Sequence, residues 1–309
     1  MKNKNIMITI VGLLLATPGV AMATGGVLGN SVEVLSDAAA LELKAEIEAA
    51  AVAYPDHFAA VDQLIGEAGE LDARKRGRMA PFSPMFKRLG ENAHMAIIEA
   101  LLFEGPAQRA LKDDAWFALR AGLIEAAGRS RDPRLVPVLS AYLAGPETEH
   151  YAIRAAAEAL GRIGTDGAVD SLIEAAQTRP LKKGAILSGM GYCRRLPVAN
   201  YLAGELAQAQ SEESREILVK ALSTVGNEYA WKTTAMQRFA AEEASVRQVA
   251  ARALFDQYVV EKEGLIRDRA LKALVVVGHE DTRAWIQESP RLSNGELSAP
   301  LNTLKNRLR

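Results

Sequence analysis

The chain has a single cysteine, Cys193, among 309 residues, so it cannot make an internal disulfide. Aromatic residues are scarce, at 6%. Alanine and leucine abound instead, and such small or straight side chains of high helix propensity suit closely packed helices. Neither sign of charge dominates: 37 basic residues face 38 acidic ones, which removes any global pull toward nucleic acid or an anionic membrane. There are only four histidines, His57, His94, His150 and His279. None forms an H-x-x-x-H pair or a Cys/His cluster, and no carboxylate-rich loop has metal spacing. Neither a G-x-S-x-G elbow nor a Walker signature is present. The glycine-rich stretch Gly184 to Gly191 has no preceding strand, so tight helix packing is its plainer reading. No cofactor and no enzymatic activity are expected from this inventory.

The N-terminus reads as a targeting segment. Lys2 and Lys4 form a basic start, Ile6 to Ala16 is an apolar run too short to span a membrane, and Thr17-Pro18-Gly19 breaks it. Ala21-Met22-Ala23 supplies the small-x-small pattern of a signal-peptidase site, with cleavage expected before Thr24. The mature chain then has 35 basic and 38 acidic residues, and its expected location is the periplasm or the medium. Thr24 to about Val34 lacks helical period and is expected to be a mobile lead.

What the chain has in abundance is repetition. The stretch Ile153-Arg154-Ala155-Ala156-Ala157-Glu158-Ala159-Leu160-Gly161-Arg162-Ile163-Gly164, followed by Ala168, Val169, Leu172 and Ile173, recurs imperfectly at roughly 30–33 residues, the mark of stacked helix pairs. Trp116, Leu119, Leu123 and Ala127 form the apolar stripe of one unit, and Asp132-Pro133 reads as the cap and first residue of its second helix. Asp166 is the expected cap in the next unit. Later units carry Ile186, Leu187 and Met190; then Leu218, Ala221, Leu222 and Val225; then Val246, Ala250 and Leu254; then Leu271, Leu274 and Val277. Aligning Gly161 with Gly191 puts Cys193 at the position of Ile163, Val225 and Val277, so it should pack as a small buried hydrophobe. Before the array, Ser36 caps a helix carrying Leu43, Ile47, Ala50 and Tyr54, and Phe58 and Val61 mark a second. Arg74-Lys75-Arg76-Gly77-Arg78, with Pro81 and Pro84 after it, reads as an extended basic loop, open to a phosphate or acidic partner or simply solvated.

Ile153-Arg154-x-x-Ala157-x-Ala159-Leu160-Gly161-x-Ile163-Gly164, with Val169 and Leu172, resembles HEAT repeats, in particular the short bacterial class also found in phycobilin lyases. Val246-Arg247-x-x-Ala250-x-x-Ala253-Leu254 resembles the same signature, and Asp114 with Arg120 is similar to the family's turn acid and helix arginine. Glu216 and Asp268 stand near where the family arginine is expected, which interrupts an arginine ladder. The resemblance, from Phe86 to Ile286, implies an all-α solenoid, a superhelix of antiparallel helix pairs.

The expected organisation is a signal peptide over 1–23, an N-terminal helical cap and basic loop over 24–84, a HEAT-like array over 85–289 and a C-terminal capping helix over 290–309. The expected function is a non-enzymatic scaffold that binds a protein or peptide on a curved helical surface, with no nucleic acid and no membrane span after cleavage. Arg154, Glu158, Arg194 and Arg195 are the candidate contacts, the arginine pair suiting carboxylates or phosphates. The alternative is a lyase-like enzyme or a small-ligand carrier on the same repeats. His279, beside Glu280 and Asp281, is expected to be an exposed turn residue, and His94 to be partly buried packing.

Overall fold

The computed structural model describes residues 25–77, 79–106, 111–261 and 264–289. Among these residues there are 16 α-helices and no β-strand, packed in neighbouring pairs as an all-α solenoid. The signal segment with Ala21, Ala23 and Thr24, and the closing segment 290–309, lie outside the described residues. No described helix is long and apolar enough to cross a membrane.

Helices α1 (Asp37–Ala53) and α2 (Pro55–Gly66) meet at Tyr54-Pro55, where proline ends one helix and opens the next. Ser36 caps α1 as expected, its Oγ accepting from Ala39 N at 3.2 Å. The lead before it differs from expectation. Gly26, Val27 and Leu28 donate backbone hydrogen bonds to Leu102, Ala100 and Leu101, and Val27 and Leu28 are buried. Two apolar side chains and three backbone bonds dock this segment, although it is too short for any period to show.

The basic run is also tied down in part. After α3 (Ala68–Ala73), Arg74 pairs with Glu70 at 2.8 Å, and Lys75 bridges Asp72 and Asp114. Pro84 falls inside α4 (Phe82–Arg88), in the first turn, where a helix makes no use of the missing N–H.

Beyond α5 (His94–Leu102), the array alternates between two layers. One layer stacks α6 (Asp113–Ser130), α8 (His150–Ile163), α10 (Lys183–Met190), α12 (Glu212–Val225) and α15 (Leu265–Val277) side by side. The other holds α7 (Leu135–Ala144), α9 (Asp166–Thr178), α11 (Leu196–Gln208) and α14 (Glu243–Val260). Leu119, Leu123, Leu160, Leu222, Leu254 and Leu274 are fully buried in one continuous core, each pair covering its neighbour's apolar stripe. Small residues set the spacing. A Cβ on Gly189 of α10 would stand 2.6 Å from the Arg154 carbonyl of α8, so only glycine permits this approach. Cys193 is fully buried beside Gly161, as its place in the repeat requires.

Three boundaries differ from the sequence reading. Thr165, not Asp166, caps α9, with its Oγ accepting from Ala168 N at 3.3 Å. α7 begins at Leu135, two residues after Pro133, while Asp132 accepts from Arg134 N at 2.9 Å. The third concerns α14, which reads in sequence as the first helix of a new unit. It packs on α11 and is instead the second helix of the α12 unit. Between α12 and α14, residues 226–242 form α13 (Glu228–Trp231) and a 3-10 stretch, Thr234–Glu242. This insertion runs back as a strap across the turns of the earlier units.

Candidate functional site

The four expected contact residues divide into three environments. Arg154 on α8 reaches Glu125 of α6 at 2.6 Å and Glu158 at 3.4 Å. Glu158 is 3% exposed and accepts from Arg162 at 2.6 Å. Burial raises its carboxyl above the ordinary range, Glu125 adds repulsion, and Arg162 opposes both. Arg154 and Glu158 thus form part of an internal chain joining neighbouring helices.

Arg195 is a latch. Its Nε donates to Glu242 at 2.6 Å, its two terminal nitrogens reach the Gly164 carbonyl at 2.7 Å and Asp166 at 2.9 Å, and its guanidinium lies over Phe239. The second Glu242 oxygen accepts from Leu196 N at 2.6 Å and so caps α11 from the strap. Arg238 of the strap donates to the Arg162 and Ile163 carbonyls at the end of α8 and also stacks on Phe239. These contacts pin the strap over the α8–α9 and α10–α11 turns.

Arg194 points elsewhere in this network. It donates to the Thr224 carbonyl at 3.0 Å and lines a cleft of about 900 Å³ between the strap, the C-terminal ends of α6 and α8, and the α4–α5 segment. Six basic side chains line the cleft, Lys87, Arg129, Arg131, Arg162, Arg194 and Arg238, against a single carboxylate, Glu91. Among the described residues only Arg162 of the six has a carboxylate at ion-pair distance, and Glu158 and Glu125 attract Arg129 from further off. Arg129 bonds the Ser83 hydroxyl, and Arg131 the Ala235 carbonyl at 2.6 Å. The Nε atoms of Arg129 and Arg194 are buried with no acceptor.

Like charges crowd here. Burial, then Arg162, pushes Arg194 down to about 10. Burial and Arg162 also lower Arg129, and burial with Arg238 and Arg162 lowers Arg131. His94 lines the same cleft, half-buried, its imidazole lowered by burial.

The repeat register shows how the cluster arises. Gly164, Gly226 and Gly278 follow α8, α12 and α15 directly, and Gly164 and Gly278 are left-handed, at φ of 64° and 59°. At the same repeat position the α6 unit has Arg131 and the α10 unit has Arg194. Arg131, at φ 57°, is the one non-glycine residue with positive φ among those described. Its backbone carries the strain that glycine avoids in the sister units. Gly128-Arg129 and Gly161-Arg162 are also equivalent pairs, so consecutive repeats aim guanidinium groups at one place. That register was readable in the sequence; the strap that turns a basic edge into a cleft was not.

Other features hold less. A groove of about 670 Å³ between α11 and α14 has its ions paired internally, Arg215 with Glu261 and Arg252 with Asp256. His279 is not the exposed turn residue expected. Its side chain is 11% exposed, stacked on Trp285 of α16 (Thr282–Glu288), and its Nδ1 accepts from Asp281 N. Among the described residues no group of three or more His, Cys, Asp or Glu converges as a metal site. The arginine ladder is discontinuous: Arg154 pairs back to Glu125, Arg269 pairs back to Glu216, and Gly184 occupies the corresponding place in α10. Asp114 and Arg120 do not pair with each other; Arg120 reaches Glu147 at 2.6 Å, joining α6 to the approach to α8.

Stacked helix pairs around a continuous core define a helical-repeat solenoid. Residues 105–189, from just before α6 to the end of α10, match the family of HEAT repeats. No curated protein matches the chain.

Proposed function

We propose that the chain is an exported, non-enzymatic scaffold that holds a protein or peptide partner against its helical-repeat surface. HEAT repeats commonly mediate protein interaction, and the N-terminal segment 1–23 has the three-part pattern of a secretory signal. The observation that carries the reading is the strap-bounded basic cleft on one edge of the stack. It offers an acidic partner a concentrated positive potential in a protein of near-zero net charge. Arg154, Glu158 and Arg195 support that surface from behind, and Arg194 faces the partner.

The test is site-specific photo-crosslinking in intact cells, with the photoreactive residue at the exposed Lys87 on the cleft rim and, as control, at Leu181 on the α9–α10 turn. A partner crosslinked from Lys87 and not from Leu181, in envelope or medium fractions, supports the reading. N-terminal sequencing of the recovered chain should start at Thr24. Equal labelling from both positions, or a chain retaining Met1 in the cytosol, rejects it.

A second reading, a small-ligand carrier, is favoured by one observation: the cleft volume lies within the span of small-molecule sites.

A further inference from the structure

We propose that the arginine cleft is a binding site for a small phosphate compound carrying two or more negative charges. This goes beyond the scaffold reading and supplies the ligand class for the carrier reading.

Two independent observations converge on it. The first is charge. Six cations and one carboxylate line the cleft, and among the described residues only Arg162 pairs with a carboxylate at ion-pair distance, while Glu158 and Glu125 act on Arg129 from further off. The protein acceptors of Arg129, Arg131, Arg194 and Arg238 are carbonyls and a hydroxyl, which satisfy N–H groups without neutralising charge. A monoanion leaves most of this charge uncompensated, whereas a phosphoryl group brings two charges and accepts several guanidinium bonds at once. The second is backbone. Arg131 holds φ 57° where the sister repeats place Gly164 and Gly278, so a left-handed arginine persists against local preference at the cleft wall.

The experiment is titration calorimetry of the mature chain with pyrophosphate, inorganic phosphate and acetate at matched ionic strength, beside native mass spectrometry of protein purified from its own cells. Expected are saturable binding of one pyrophosphate per chain, weaker phosphate, and no acetate binding. Arg131→Gly, which suits the left-handed backbone, should weaken pyrophosphate binding by about tenfold with an unchanged circular dichroism spectrum. Lys87→Gln, on the exposed rim, should weaken it by about threefold and gives a second readout if the first variant misfolds. Arg252→Gln, in the groove between α11 and α14, should leave binding unchanged. A phosphate-bearing mass released on denaturation completes the expected result. The proposal is overturned if pyrophosphate does not saturate, if acetate binds equally, if both cleft variants bind as the unaltered chain does, or if the phosphoryl group is recovered only on a bound polypeptide. A partner crosslinked from Lys87 would stand regardless of these outcomes, so the two readings fail separately.

Discussion

Arg195 Nε lies 2.6 Å from Glu242 Oε1, an ion pair that ties the α10–α11 turn to the last residue of the strap. Sequence separates the two by 47 residues. Because the other Glu242 oxygen caps α11 through Leu196 N, one carboxylate fixes both the strap and a helix start. Glu242→Ala should lower stability by about 1–3 kcal/mol. It should also open the strap to trypsin at Lys232 and Arg238 before the rest of the chain is cut. Unfolding curves and timed proteolysis check this, and a strap as resistant as in the unaltered protein would refute the latch.

The stacked core makes a contrasting pair of leucines. Leu160, fully buried in α8, should cost about 2–5 kcal/mol when changed to Ala. Leu181 is 101% exposed, and its change to Ala should fall within about 0.5 kcal/mol of zero. Denaturant midpoints for the two variants measure the difference.

Glu158 gives the fold a pH dependence of unusual sign for a carboxylate. Its folded pKa is raised above 4.5, first by burial and then by Glu125. The protonated form is therefore favoured by folding. That contribution is complete below about pH 4.5 and is lost as pH rises through the folded value. Glu158→Gln removes it. The melting temperature of the unaltered protein, taken relative to this variant, should fall as pH is raised from 4.5 toward neutrality; a flat or rising difference would contradict the assignment.

Cys193 should be chemically silent in the native state. Burial pushes its thiol up to about 12, so almost no thiolate exists at neutral pH. A thiol reagent at neutral pH should label it only as fast as the protein opens, with full labelling in denaturant. Rapid native labelling would place the residue outside the core.

The core was the legible part of the sequence. Leu160, Gly161 and Ile163 repeat with enough regularity to give the architecture and the burial of Cys193. Helical period reports which face of a helix is buried but not which layer it joins. Hence α14, whose Val246, Ala250 and Leu254 carry the repeat signature, reads as a first helix although it packs on α11 as a second. The strap was illegible because residues 226–242 lack the period and their partners are remote: Arg131 reaches Ala235 across 104 residues. Arg194 was found from its charge alone. Arg131 could have been found with it, by asking which units lack the capping glycine of Gly164 and Gly278. Arg195 has the same chemistry as Arg194, but Glu242, Asp166 and the Gly164 carbonyl occupy it.

In the proposed site the strap and the arginine edge act together as one anion-binding device. Hydrogen–deuterium exchange, resolved by peptide with and without pyrophosphate, tests that most directly. Slower exchange confined to residues 226–242 and the end of α6 around Arg129 to Arg131 is the predicted result. Exchange unchanged in both segments, or slowed only in the groove between α11 and α14, would contradict it.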